Sequence, residues 1–231
     1  MKLLIAVMSC WLAEKDGDNQ SVRDTWKRSI PWGVDSYFVH GTGYSCYPGS
    51  DRKVCRWDVN EGQRPDDVLI LGVPEAYQYL IERAKELYTW AYEQDYDFVF
   101  KCYPDTYVDA PALLSSGFEK HDHFGHIHTS PGTPRSDGTV NRFGFLGGGE
   151  GYWLSRKACA IIAQATPNPE PVGEDLWVGE VLGTAGVPMI DHRGYGNGIT
   201  LHGSILQNPI DYRPGRYDNR WMYDTYERLK G

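Results

Sequence analysis

No stretch of this sequence approaches the roughly 20 consecutive apolar residues that a bilayer-spanning helix requires, so no membrane span is expected. Basic clusters are missing as well. Lys and Arg number 23 against 31 Asp and Glu, a formal net charge of -8, and no run of cations follows a phosphate backbone, which disfavours nucleic acid as a partner. Cysteine is sparse: Cys10, Cys46, Cys55, Cys102 and Cys159 make an odd set without C-x-x-C spacing, which indicates neither a disulfide framework nor a zinc site. Reduced thiols in a cytoplasm fit that set, with Cys46 and Cys55 the single pair worth checking for a bridge. Internal repeats and low-complexity segments are absent too.

What is present suits one globular domain over residues 1–231, 41% hydrophobic and 23% charged. Sixteen Tyr and eight Trp are the departure; such rings line carbohydrate surfaces as well as cores, with the core the default. The opening Met-Lys-Leu-Leu-Ile-Ala-Val-Met-Ser-Cys superficially resembles a short signal peptide ending at Cys10. Its apolar run is short, however, and reads better as a buried first strand, Leu3 to Met8, apolar throughout because both sheet faces are covered.

Further along, residues 14–20 are polar and read as a loop, after which Ser21 is expected to cap a short helix. Residues 35–41 and 67–71 read as strands, 42–58 as a surface loop rich in Gly, Ser, Pro and Tyr, and 75–93 as the longest helix, with Tyr79, Leu80, Ala84, Leu87, Trp90 and Ala91 at helical spacing. Residues 97–102 form another buried-strand pattern, and the strand-helix-strand unit so made predicts parallel pairing through a right-handed crossover. A short helix is expected over 111–116 with Pro in its first turn, an alternating strand over 123–128, helices over 156–164 and 174–182, and an irregular tail after His202. The glycines at 147–151 suggest close backbone approach to a ligand, or a tight turn or bulge.

Three separated pieces carry the chemistry: Lys101-Cys102-Tyr103-Pro104-Asp105-Thr106-Tyr107-Val108 at a strand end, Gly173-Glu174-Asp175-Leu176-Trp177-Val178-Gly179 opening a helix, and Leu201-His202-Gly203. Ligands of open α/β sheets sit beyond the carboxyl ends of the strands, which puts Asp105 where a diphosphate would lie. A carboxylate there can hold a divalent cation. Each piece also has a plainer reading. Asp175 can merely favour the first turn of its helix, Asp105 can be a turn residue after Pro104, and His202 can be a packed histidine. Arg23 can simply pair with Asp24 or a helix end. His121, His123, His126 and His128 look like a metal cluster, and alternation puts all but His126 on one strand face or its turn, but no carboxylate or cysteine follows at ligand spacing, so they read as structural.

Taken together the pieces resemble the inverting beta-1,3-glycosyltransferases of GT-A fold that include the fringe proteins and the core 1 galactosyltransferases. The family's Arg-x-Thr-Trp element resembles Arg23-Asp24-Thr25-Trp26, its Tyr-x-x-Leu helix resembles Tyr77-Gln78-Tyr79-Leu80 running on to Lys85 and Tyr92, and its Lys-x-Asp-Asp-Asp-Thr-Tyr-Val motif is similar to residues 101–108. Its Gly-Gly-x-Gly-Tyr-x-Leu-Ser and Glu-Asp-x-x-x-Gly elements are similar to residues 148–155 and 174–179, and its late metal-binding histidine resembles His202. The resemblance implies an α/β nucleotide-diphospho-sugar transferase fold, a mixed and mostly parallel sheet flanked by helices. It also implies a single displacement that transfers a hexose or N-acetylhexosamine from UDP-galactose, UDP-glucose or UDP-N-acetylglucosamine to an acceptor hydroxyl with inversion.

Carried over by position, Asp175 is the expected base, Asp105 and His202 the ligands of Mn2+ or Mg2+, and Arg23 with Arg83 or Lys85 the cations beside the nucleotide. Gly149, Glu150 and Gly151 border the donor sugar, and Tyr103 stands where it can stack on or hydrogen-bond to the nucleotide. Trp153 and Trp177 are candidates for acceptor contact. The sequence departs from the pattern in one informative place: Tyr103 and Pro104 replace two of three aspartates, which puts metal dependence in doubt. A binding module with decayed catalysis is therefore an alternative. So is an enzyme acting on modified nucleic acid, provided that Arg135, Arg142, Arg213, Arg216 and Arg220 gather on one face. The expected setting is a bacterial or viral cytoplasm, with a glycan, lipid-linked or small hydroxyl acceptor.

Overall fold

The structure, a computed structural model, describes residues 1–42, 65–134, 138, 140–168, 173–203 and 219–230. Cys46 and Cys55, Arg135, Arg213 and Arg216 lie outside the described residues, as does most of the expected loop over 42–58. Cys102 and Cys159 are buried free thiols.

The chain opens with strand β1 (Leu3–Met8), every residue of it buried. Helices α1 (Trp11–Asp16) and α2 (Asp18–Asp24) follow where a loop over 14–20 and then a short helix capped by Ser21 were expected. Cys10 caps α1 through its sulfur, Gly17 takes the left-handed turn between the helices at φ 90°, and Ser21 lies inside α2, its hydroxyl donating to the Asp18 carbonyl. Strands β2 (Val34–Thr42) and β3 (Val68–Pro74) lead to the long helix α3 (Leu80–Glu93), strand β4 (Phe98–Cys102), the short strand β5 (Thr106–Val108) and helix α4 (Ala110–Leu114), capped by Asp109. Then come β6 (His123–Gly125), β7 (Ile127–Thr129), β8 (Phe145–Leu146), β9 (Tyr152–Ser155), α5 (Arg156–Gln164), α6 (Glu174–Thr184), β10 (Ile190–Asp191), β11 (Thr200–His202) and α7 (Arg220–Leu229). The tail is thus helical over α7, against the irregular reading, because Met222 and Thr225 recur on one face and are buried, Met222 against Ser21 of α2.

A seven-stranded sheet runs in the order β10-β6-β9-β4-β1-β2-β3. β1 pairs in parallel with β2 and β4, β2 with β3, and β6 with β10, while β9 is antiparallel to both β4 and β6. This is the expected α/β architecture, a mixed and mostly parallel sheet flanked by helices. β3 and β4 do run parallel across α3, but they are not neighbours: β4 pairs with β1, and β1 and β2 lie between them. Strand alternation divides the core. Leu4, Ala6 and Met8 pack with α3, α5 and α6 on one face, whereas Leu3, Ile5 and Val7 pack with Val22, Trp26, Leu113 and Met222 on the other. No helix among the described residues is long and apolar enough to cross a membrane.

The histidines do not share a face, because the expected strand over 123–128 breaks at His126 into β6 and β7, which belong to different sheets. His121 stacks on Phe124 and His128 on Phe145, and Nδ1 of His126 lies 3.3 Å from Asp191. His123 is 1% exposed, edge-on to Tyr152, and burial lowers its pKa to about 3. An unfolded histidine titrates near 6.5, so the unfolded chain binds the extra proton first as pH falls below that value. Stability from this residue is therefore whole above pH 6.5 and is lost between 6.5 and about 3, at roughly 1.4 kcal/mol per pH unit. Thermal melts at pH 7 and pH 5 should show a smaller acid loss in His123→Phe than in the parent; equal losses would assign the acid sensitivity elsewhere.

Candidate functional site

The candidate residues gather at the carboxyl ends of the parallel strands, where open α/β sheets place their ligands. β4 ends there in Lys101 and Cys102 and leads into Tyr103, Pro104 and Asp105. Tyr152, the first residue of β9, is registered against Lys101. Because β9 runs the opposite way, the glycine segment preceding it lies at the same edge, and Gly151, at φ 84°, backs onto Phe100.

A two-stranded ribbon then sets the far wall. β11 pairs antiparallel with β5, His202 opposite Thr106, and the Gly203 amide donates to the Asp105 carbonyl at 2.8 Å. This register brings His202 Nε2 to 3.2 Å from Asp105 Oδ2, both side chains largely enclosed. Burial opposes the charge on His202, but the hydrogen bond to Asp105, the Asp105 charge and the nearby Glu150 outweigh it, and the pKa of His202 is raised. The Thr106 hydroxyl donates to the Gly149 carbonyl at 2.6 Å. A Cβ on Gly149 would lie 2.8 Å from two atoms of the His202 ring, so a side chain there would displace the imidazole. Glu150 is buried beside Gly147 and Gly196.

The opposite wall is the first turn of α6. Asp175 Oδ1 accepts from its neighbour's amide, Leu176 N, at 2.8 Å, and Oδ2 accepts from Gly148 N at 3.2 Å. The partial positive charge of a helix start favours a carboxylate at this place. Glu174 turns inward and is 1% exposed; its Oε1 accepts from Lys101 Nζ and, at 3.1 Å, from the Tyr103 hydroxyl. Burial raises the pKa of Glu174 against the opposing charge of Lys101, and burial with the nearby carboxylates holds the Tyr103 phenol well above its ordinary value. The Lys101 ammonium lies 3.6 Å from the centre of the Tyr103 ring.

No protein-family model matches the chain, and no curated protein matches it. A crystal structure of a proposed nucleotide-diphospho-sugar transferase from Desulfovibrio desulfuricans aligns over 99% of this chain and 96% of its own, at 12% identity and a TM-score of 0.47. HddC from Yersinia pseudotuberculosis aligns over 74% of this chain and 82% of its own, at 12% identity and a TM-score of 0.34. Both scores lie below 0.5, and the chemical reading of the site rests on its own geometry.

The remaining predicted residues are placed less uniformly. Asp105, Gly149, Glu150, Gly151, Asp175 and His202 line one edge, and Tyr103 turns its hydroxyl away to Glu174. Arg23 is held elsewhere: its guanidinium bridges Glu14, at 2.6 and 3.1 Å, and Asp67, at 3.0 and 3.1 Å, above the Phe38 ring. Arg83 is buried and donates to the carbonyls of Ser9, Val39 and Glu75, at the ends of β1 and β2 and just beyond β3. Lys85 is half-buried on α3. Trp153 and Trp177 are core residues, Trp153 stacked on Phe118 at 3.8 Å, which removes both from acceptor contact. Among the described residues no group of three or more His, Cys, Asp or Glu is arranged to hold a metal ion.

Two residues without an assigned role in the sequence reading belong to this edge. Lys101 had a signal, since a lysine inside a buried strand demands a partner. Asp18 had none. Burial raises its carboxyl to about 6, with a hydrogen bond to Asn219 opposing and Asp105 among the charges adding to the rise, and only the packing of α2 and α7 brings those groups together.

Proposed function

We propose that this protein is a glycosyltransferase of GT-A type that moves a hexose or N-acetylhexosamine from a UDP-sugar to an acceptor hydroxyl with inversion, Asp175 serving as general base. The observation that carries the reading is the placement of the Asp175 carboxylate: anchored by two backbone amides at a helix start, it lies across the glycine segment from the Asp105–His202 pair. A carboxylate accepts up to about four hydrogen bonds, so the two amides leave lone pairs for an acceptor hydroxyl. In the proposed step the carboxylate takes the hydroxyl proton while the hydroxyl oxygen bonds to the anomeric carbon. The bond from that carbon to the diphosphate oxygen breaks, and UDP leaves with the electron pair.

The nitrogen and oxygen donors of His202 and Asp105 are of a type that Mn2+ accepts, with diphosphate oxygens and water completing its shell. Such an ion would neutralise charge on the departing diphosphate. Tyr103 and Pro104, standing where two carboxylates are expected, favour a second reading in which UDP binds without metal or without turnover. Calorimetry of UDP with Mn2+ and then with EDTA, on the parent and on Asp105→Ala, separates the readings. Binding that needs Mn2+ and is lost in Asp105→Ala is the expected result. Equal binding under EDTA would identify a metal-independent site, and no binding would remove the donor assignment.

A further inference from the structure

We propose that Lys101 and Glu174 form a buried positioning pair whose work is to keep the Asp175 carboxylate free of a cationic partner and aimed at the acceptor. The inference rests on the reading of Asp175 as base. The three charged groups converge on one residue: a Cβ at Gly148 would lie 3.1 Å from Glu174 Oε1, 3.1 Å from Lys101 Nζ and 3.2 Å from Asp175 Oδ2. The Gly148 amide donates to Asp175 at 3.2 Å, and Lys101 Nζ donates to the Gly148 carbonyl at 3.4 Å. A lysine this close to two carboxylates can neutralise either one. Glu174 claims it, being 1% exposed against the half-buried Asp175 and offering Oε1 directly to the ammonium. Its second oxygen, Oε2, is buried and makes no hydrogen bond, so Glu174 has no counter-charge in reserve besides Lys101.

The pair is thus neutral as a unit, which leaves the half-buried Asp175 carboxylate to accept the acceptor's proton. Among the described residues, the other titratable groups facing Asp175 are Tyr77, Tyr88, Tyr103 and Tyr152, from the turn after β3, from α3, from the end of β4 and from β9. All four phenols are raised, and among the described residues Lys101 is the cation that meets the base at Gly148.

The test uses the full chain, a UDP-sugar with an accepted hydroxyl, and three variants. Glu174→Gln keeps the shape but releases Lys101 toward Asp175. Its kcat is expected to fall at least tenfold with the donor KM unchanged, and the acid limb of its pH-rate profile to move down by about one pH unit, as a carboxylate does beside an opposite charge. Removing the cation as well, in Lys101→Met/Glu174→Gln, is expected to restore the position of the limb and most of kcat. A folded Glu174→Gln with parental limb and kcat, or a folded double variant as slow as Glu174→Gln, overturns the proposal. Asp175→Asn, run alongside, keeps the two ideas apart. Should it retain turnover, the base assignment fails; should it be inactive while Glu174→Gln matches the parent, only the pair's role fails.

Discussion

Asp175→Asn is expected to slow transfer by about a thousandfold, within the range that a positioned general base contributes, while UDP affinity stays within about twofold of the parent. The separation follows from position. Asp175 touches the amides of Gly148 and Leu176 and lies on the wall opposite Asp105 and His202, so the amide variant removes the proton acceptor without altering the proposed diphosphate side. Asparagine keeps one oxygen and with it one of those two amide bonds. Turnover comparable to the parent, with UDP binding intact, would show that another group or water accepts the proton.

The second large effect concerns stability. Lys101→Met leaves Glu174 ionised or forces it to take a proton in a place where neither side chain is more than 1% exposed. Breaking such a pair by removing one partner costs about 3–5 kcal/mol, which for a chain of this length lowers the melting temperature by roughly 10 °C. Lys101→Met/Glu174→Gln is expected to melt close to the parent, because no uncompensated charge remains and the Gln oxygen can still accept from the Tyr103 hydroxyl. Thermal melts of the parent and both variants decide it; a Lys101→Met single variant that melts with the parent would show that the lysine carries no charge the fold depends on.

Much of the architecture was legible because it is local. An apolar run bounded by polar turns reports a strand covered on both faces, and this served for β1 and β4. Helical spacing of apolar residues served for α3, and Pro111 marked the first turn of α4. Two of the places where local reading failed have one cause. In residues 14–20 the polar side chains that suggested a loop are spent inside the fold: Asn19 bonds Ser9 and Glu14, and Glu14 also holds the Arg23 guanidinium. In α7 the apolar face has meaning only against α2. The removal of Trp153 and Trp177 from the surface is the same lesson, since an aromatic ring is equally suited to a core and to a sugar.

The sequence by itself determined strands β1 to β4 and helices α3 to α6, because each is written in a short run of neighbours, and it determined the order of the charged motifs, whose resemblance to a known family made Asp105, Asp175 and His202 candidates. Tertiary structure alone decided which of those groups meet. The β5–β11 register sets His202 beside Asp105, the reversed strand β9 returns the glycine segment to the edge where β4 ends, and α6 lowers Glu174 onto Lys101 while leaving Asp175 half-buried. Those contacts join residues far apart in the chain. Periodicity states which face of an element is buried, but the register and the packing of the elements fix what that face is buried against.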